Sequence, residues 1–136
     1  MALNLHPASG VEPFEAPYEA FAADYGWDKP GEGVPFRMSE EKWADSYFKT
    51  VLGPMEDSGV DFWWLDWQQW KESKYVEGLS NTFWLNHTFF RHAEERSPDI
   101  RPFIYHRWGG LGSHRYQLAF SGDTYANWKT LAFLPW

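Results

Sequence analysis

Two aspartates and one arginine are the residues of this sequence whose types and positions best suit catalysis. Asp66 closes the run VDFWWLD, Arg107 closes RPFIYHR, and Asp123 closes YQLAFSGD. Such a group suits glycoside hydrolysis, in which one carboxylate attacks or stabilises an oxocarbenium-like centre and a second carboxyl group protonates the leaving oxygen. The arginine would keep one carboxylate ionised or donate hydrogen bonds to sugar hydroxyls. The alternative is that aspartate and arginine form an ion pair with only a structural role.

The composition narrows the classes of protein and ligand. A chain of 136 residues suits one domain, and its net charge of −7 argues against a nucleic-acid partner. No run of about 20 apolar residues predicts a membrane span. The chain has no cysteine, which excludes thiolate metal ligands, and its five histidines include no i, i+4 pair beside an acid of the kind that metalloproteases use. We therefore expect no metal and no cofactor. The aromatic content of 21% fits either a core or platforms on which sugar rings stack.

Regular elements alternate along the chain, and their order predicts the fold. Hydrophobic periodicity and turn residues predict strands at 2–6, 60–67, 101–108 and 116–123, with helices at 14–25, 39–58 and 80–95 and the start of a helix at 124–133. This alternation is typical of an α/β fold, in which a parallel sheet with right-handed crossovers carries its helices outside. Sites in such sheets form at the carboxyl edge of the strands, so Asp66, Arg107 and Asp123 are expected to meet there.

Three elements carry more detailed expectations. Ser39 and Ser80 are the predicted N-caps of the second and third helices. Pro54 is expected to kink or end the second helix, because proline lacks the amide hydrogen that a helix interior needs. The strand at 60–67 is apolar on both sides and is therefore expected to be buried on both faces. Strand periodicity places Asp66 and alternate aromatic residues on the same face.

The motifs around the two strand ends resemble the catalytic core of glycoside hydrolase family 31, the retaining α-glycosidases that include α-glucosidases and α-xylosidases. In that family the nucleophile lies in a Trp-x-Asp pattern at the end of barrel strand four, and residues 64–66 match the pattern. The acid/base of the family is the aspartate of a Gly-Asp pair that follows an Arg-Tyr segment. Here residues 115–116 lead to the Gly-Asp pair at 122–123, and Arg107 stands sixteen residues before Asp123, at the family's substrate-binding arginine.

The resemblance implies a role for each of these residues. Asp66 would be the nucleophile and Asp123 the acid/base, with their carboxyl groups about 5–5.5 Å apart, as retaining enzymes require. The side chains that would bind the sugar are Arg107, Trp64, Trp67 and Arg115. The sequence departs from the family in two segments, because Trp67-Gln68-Gln69 replaces Met-Asn-Glu after the nucleophile and Thr124 replaces Asn after the acid/base. Both departures alter the wall of the pocket and hence the sugar that it accepts.

The resemblance also implies a partial (β/α)8 TIM barrel. A full barrel takes about 250 residues, so residues 1–136 are interpreted as one fragment of the catalytic domain, with about four parallel strands (strands three to six) and outer helices. We expect the partner to be an α-glycoside, the isolated chain to turn over little substrate, and the open edges of the half-barrel to promote self-association. Two alternatives remain: a non-catalytic carbohydrate-binding half-barrel, and an inactive remnant of a longer gene.

Overall fold

The computed structural model describes residues 1–66, 70–107, 112–116, 120 and 122–133. The strands are β1 (Ala2–Leu5), β2 (Phe62–Leu65) and β3 (Tyr105–His106), and the α-helices are α1 (Tyr18–Tyr25), α2 (Glu41–Tyr47), α3 (Gly53–Asp57), α4 (Asn81–Arg96) and α5 (Trp128–Phe133). Short 3₁₀ turns occur at Pro7–Ser9 and Ser113–Arg115, and a π-helical segment at Phe48–Leu52 joins α2 to α3. Within these residues, no helix combines the length and the apolar character needed to cross a membrane.

The three strands form one parallel sheet in the order β1-β2-β3. This confirms the α/β pattern of parallel strands linked through helices. The predicted strand at 101–108 is shorter than expected, since only Tyr105–His106 pairs with β2. Half of the predicted strand at 116–123, residues 117–119 and 121, lies outside the described part of the chain. At its one described central residue, Phe120, the amide donates to the His106 carbonyl at 2.7 Å, so the chain passes beside β3 there.

The two faces of β2 differ in burial. Trp63 and Leu65 are buried in the apolar core that they share with Phe89 of α4. Phe62 and Trp64, on the opposite face, are only half-buried. The expectation of a strand buried on both faces is therefore wrong, because helices cover one face, while the half-buried face packs against the rings of Phe103, Tyr105 and Phe120.

Aromatic rings form rows across this half-buried face. Phe62 packs edge-on against Phe103 at 4.5 Å between ring centroids, and Trp64 lies 4.1 Å from Tyr105. The parallel register pairs Trp64 with Tyr105 on one side and with Asn4 on the other. The next residues on this face lie two positions further along each strand, at the carboxyl ends, and they therefore form one further row of side chains.

The second helix is interrupted rather than ended by proline. α2 begins at Glu41 with Glu40 at the N-cap position, and the hydroxyl of Ser39 instead contacts the Ser73 hydroxyl at 2.9 Å, so the predicted N-cap is wrong. The α-helical hydrogen bonding gives way to a π-helical segment before Pro54, which then stands in the first turn of α3. A proline costs no hydrogen bond in a first turn, because the amides there have no helical acceptor. The helix therefore continues to Asp57.

The helices that connect the strands follow local rules. α1 begins at Tyr18 rather than at 14, because Pro17 takes its N-cap position. Its Phe21 is fully buried and meets Trp43 of α2 edge-on at 5.4 Å. The Ser80 N-cap of α4 is confirmed, since its side chain accepts a hydrogen bond from the Phe83 amide.

Candidate functional site

The carboxyl ends of the three strands bring polar side chains to one edge of the sheet. His6 directly follows β1, Asp66 follows β2 and Arg107 follows β3. The ladder extends one residue beyond the strands, because the Asp66 amide donates to the Leu5 carbonyl and the Arg107 amide donates to the Leu65 carbonyl, both at 3.2 Å. These backbone hydrogen bonds therefore fix the positions at which the side chains of Asp66 and Arg107 leave the backbone.

Arg107 connects the two candidate catalytic carboxylates. Its Nε lies 2.9 Å from Asp66 Oδ1, and its two terminal nitrogens lie 3.2 to 3.3 Å from the Asp123 carboxylate. The sequence-based expectation that these three residues meet is therefore met by the described geometry. The arginine stands between the carboxylates, where its fork of donors serves both at once.

The two carboxylates have different surroundings. The side chain of Asp66 is 11% exposed and that of Arg107 is 13% exposed, whereas the Asp123 side chain is 80% exposed. The shielded pair sits where water screens little, and the exposed carboxylate remains open to water and to incoming ligands. Chemistry that uses one fixed carboxylate and one that exchanges protons needs this kind of asymmetry.

Aromatic side chains form a floor beneath the charged group. Trp64 precedes Asp66 by two residues on the same strand face and meets Phe120 edge-on at 4.9 Å. The guanidinium of Arg107 lies over the Phe120 ring, 4.8 Å from its centroid. The face of a phenyl ring attracts a cation, so Phe120 helps to hold the guanidinium in its bridging position.

A buried pair behind β3 supports the backbone next to Arg107. His106 and Asn86 are almost fully buried, and Asn86 Nδ2 lies 3.2 Å from His106 Nδ1. Because a buried polar contact of this kind fixes its partners in orientation, α4 holds the end of β3 in place. The charged edge therefore depends on α4 as well as on the sheet.

Two further residues contact Asp66, and the sequence interpretation missed both. Asn4 Nδ2 and His6 Nε2 each lie 3.4 Å from Asp66 Oδ2. The available signal was the alternation in the first strand, which places Asn4 and His6 on the face opposite Leu3 and Leu5. What the alternation could not give was the neighbouring strand, because strand order is a tertiary property.

The remaining predicted sugar-binding residues are not brought into this group by the described contacts. Arg115 ends the 3₁₀ turn Ser113–Arg115 and is exposed, and no ion pair among the described residues joins it to Asp66 or Asp123. Trp67 lies outside the described residues. Their binding roles stay predictions. Within the described ranges, no group of three or more His, Cys, Asp or Glu side chains could hold a metal ion.

Comparison with protein families gives a match over most of the chain. Residues 16–135 match the family model described as the glycosyl hydrolases family 31 TIM-barrel domain. The matched range contains Asp66, Arg107 and Asp123, whereas β1, with Asn4 and His6, precedes it. A search of curated proteins found no match.

Proposed function

The chain belongs to glycosyl hydrolases family 31, and on that premise we propose that it hydrolyses terminal α-glycosidic bonds by a retaining, double-displacement mechanism. The family implies a carbohydrate substrate. The observation that carries the proposal is the Arg107 bridge, which keeps a shielded Asp66 and an exposed Asp123 at one edge of the sheet.

In the first step, Asp66 is the nucleophile. One of its carboxylate oxygens forms a bond to the anomeric carbon while the bond from that carbon to the leaving oxygen breaks. Asp123 transfers its proton to the leaving oxygen, so the departing group leaves as a neutral alcohol. The shielding of Asp66 supports this assignment, because an attacking carboxylate must be held in one orientation.

In the second step, the same two residues release the sugar. Asp123, now ionised, accepts a proton from a water molecule, and the oxygen of that water bonds to the anomeric carbon as the bond to Asp66 breaks. The high exposure of Asp123 supports this role, since water must reach it. The net stereochemistry is retained because the anomeric centre is inverted twice.

The sugar would be held by the residues around the two carboxylates. Trp64 lies two residues before Asp66 on the same strand face, and Arg107 supplies donors that also contact Asp123. We assign Trp67 and Arg115 to the same pocket on the strength of the family motif. A carboxyl separation of about 5–5.5 Å is expected when substrate is bound.

We also propose that residues 1–136 supply strands three to six of an eight-stranded barrel. The parallel order of β1, β2 and β3 supports this placement, as do the aromatic rows on one sheet face. In TIM barrels such rows fill the interior. Self-association through the outer strands remains a prediction of the same interpretation.

The decisive test traps the covalent intermediate. Activated α-glycosyl fluorides of glucose and xylose, carrying an additional fluorine that slows the second step, are incubated with the protein, and the adduct is located by peptide mass mapping. Because labelling needs only one attack per molecule, it detects a nucleophile whose turnover is slow. We expect one sugar on the peptide that contains Asp66.

Three variants make the result specific. Asp66→Asn should abolish the adduct, whereas Asp61→Asn, which is exposed and lies at the other end of the same strand, should leave it unchanged. Asp123→Asn should still be labelled, since fluoride leaves without a proton, but should lose activity on unactivated glycosides. An adduct on another residue, or none on the folded wild type, would contradict the proposal.

One observation favours a second candidate, a carbohydrate-binding role without catalysis. Phe103 is 37% exposed and lies beside the half-buried Phe62, so part of the aromatic face is open for stacking. This candidate predicts that oligosaccharide affinity is the same in the wild type, Asp66→Asn and Asp123→Asn. Calorimetric titration of the three proteins distinguishes the two functions.

A further inference from the structure

Asn4 and His6 reach the same carboxylate oxygen from a neighbouring strand. Both side chains point from the end of β1 towards Asp66 Oδ2, at 3.4 Å from Asn4 Nδ2 and 3.4 Å from His6 Nε2. Asn4 donates a hydrogen bond to this oxygen and the His6 imidazole lies within ion-pair distance of it, so two nitrogen-bearing side chains converge on one oxygen of the candidate nucleophile. Both residues precede the range matched to the family, which begins at residue 16.

The backbone fixes these donors relative to Asp66. Leu5, which lies between Asn4 and His6, is paired with Leu65, and its carbonyl accepts the Asp66 amide at 3.2 Å. Because strand neighbours alternate in direction, the side chains on either side of Leu5 must emerge on one face of the sheet. The position of the donor pair is therefore set by the same ladder that sets Asp66.

The second oxygen of Asp66 is held from the opposite side. Arg107 Nε lies 2.9 Å from Oδ1, so Asn4 and His6, at the end of β1, contact one oxygen and Arg107, at the end of β3, contacts the other. The terminal torsion of an aspartate is soft and has two broad minima. A carboxylate bound on one side alone could rotate about that torsion, whereas donors on both sides fix its plane.

The distances differ in a way that suits a nucleophile. The contact to Arg107 is a close ion pair at 2.9 Å, whereas the two nitrogen–oxygen contacts from Asn4 and His6 are long, at 3.4 Å. Long contacts orient an oxygen without strongly stabilising its charge. The contacts of Asn4 and His6 can therefore be lost when Asp66 Oδ2 forms a bond to the anomeric carbon.

We propose that Asn4 and His6 are positioning residues that hold the carboxylate plane of Asp66 for attack on the anomeric carbon. The proposal rests on the proposed function of Asp66. Both side chains are open to solvent, with His6 45% exposed, so their substitution should change the orientation of Asp66 and not the stability of the core.

The first experiment measures the rate of the labelling reaction. Asn4→Leu and His6→Phe, which keep size but remove the donor, should each slow formation of the Asp66 adduct by about 100-fold, the cost of a small misplacement of a reacting group. His6→Gln, whose side-chain amide can donate from a similar position, should restore most of the rate. Leu3→Gln, on the opposite face of β1, should have no effect. All four variants should unfold at the wild-type temperature.

The second experiment does not depend on activity. The ¹³C resonance of the Asp66 side-chain carboxyl carbon, at one neutral pH, should shift in Asn4→Leu and in His6→Phe, and should stay near its wild-type position in His6→Gln and Leu3→Gln. A resonance that is unchanged in the first two variants overturns the inference, even if the wild type is labelled.

The outcomes separate the two proposals. If the resonance shifts but the wild type forms no adduct on any residue, the contacts are real and the proposed function is wrong. If the adduct forms at the same rate in all variants, the proposed function stands and the positioning role is wrong. An equal loss of labelling rate in His6→Phe and His6→Gln would also contradict the role, because only the glutamine keeps a side chain that can donate to Asp66.

Discussion

Arg107 Nε lies 2.9 Å from Asp66 Oδ1, and both side chains are largely removed from solvent. The opposite end of the same guanidinium contacts Asp123, which is exposed. One cation thus serves two carboxylates that differ in their access to water. This relationship makes the pair more than a surface ion pair, because its charges are shielded and because it connects the ends of two strands.

Removing the arginine should destabilise the fold. Arg107→Met takes the cation away from Asp66 Oδ1 and leaves a shielded carboxylate, which we expect to lower the free energy of unfolding by about 3 kcal/mol. Urea denaturation at neutral pH measures the change. Asp123→Asn, at an exposed position, should change it by no more than about 0.5 kcal/mol.

A double variant tests whether the loss comes from the uncompensated charge. In Asp66→Asn/Arg107→Met neither charge remains, so the loss should be clearly smaller than the sum of the two single losses. Additive losses would mean that the two side chains contribute independently, contrary to the geometry.

The Glu56 cluster predicts how stability depends on pH. Burial of this carboxyl group acts to raise its pKa, but hydrogen bonds from His92 and Trp63, together with the charges of His92 and Arg96, outweigh burial and lower the pKa of Glu56 overall. A carboxyl group whose pKa is lower in the folded state adds stability above its unfolded pKa, about 4.5, and loses it as the pH falls through the folded value.

Glu56→Gln should therefore remove part of the acid sensitivity. Wild type should be more stable than the variant at pH 7, and the difference should shrink as the pH falls from about 5 to 3. Chemical denaturation at a series of pH values gives the two curves. A constant difference over this range would show that Glu56 contributes through packing and not through its charge.

Gly10 lies in the turn that follows β1, and Gly31 is a matched control position for a substitution there. Both have a positive φ, 83° and 81°, so alanine at either position costs about 1–2 kcal/mol in backbone strain. A Cβ at Gly10 would also lie 2.0 Å from the Val34 carbonyl oxygen, whereas nothing lies within 4 Å of one at Gly31.

The two alanine variants should differ accordingly. We expect Gly10→Ala to lower the free energy of unfolding by about 3 kcal/mol or more, and Gly31→Ala by only the strain cost. Thermal unfolding of both proteins checks the difference. Equal losses would mean that the chain at Val34 moves away easily and that the close approach to Gly10 is not a constraint.

Much of the fold could be predicted because its determinants are local. Ser80 caps α4 as expected, since a cap depends on a few neighbouring residues. The alternation of strand and helix predicts the parallel order, because a strand that crosses over through a helix returns in the same direction. Ser39 shows the limit of such rules, since a contact with Ser73, far along the chain, takes its hydroxyl.

In the candidate site, too, some features follow from the local sequence and others depend on tertiary contacts. The sequence by itself determined that Asp66 and Arg107 stand at strand ends, because hydrophobic periodicity and turn residues are local properties of the sequence. Only the tertiary structure decided that Asn4 and His6 reach Asp66 Oδ2, and that one guanidinium bridges two carboxylates. These contacts depend on which strands are neighbours and on their register, and a shift of one residue would turn every side chain to the other face.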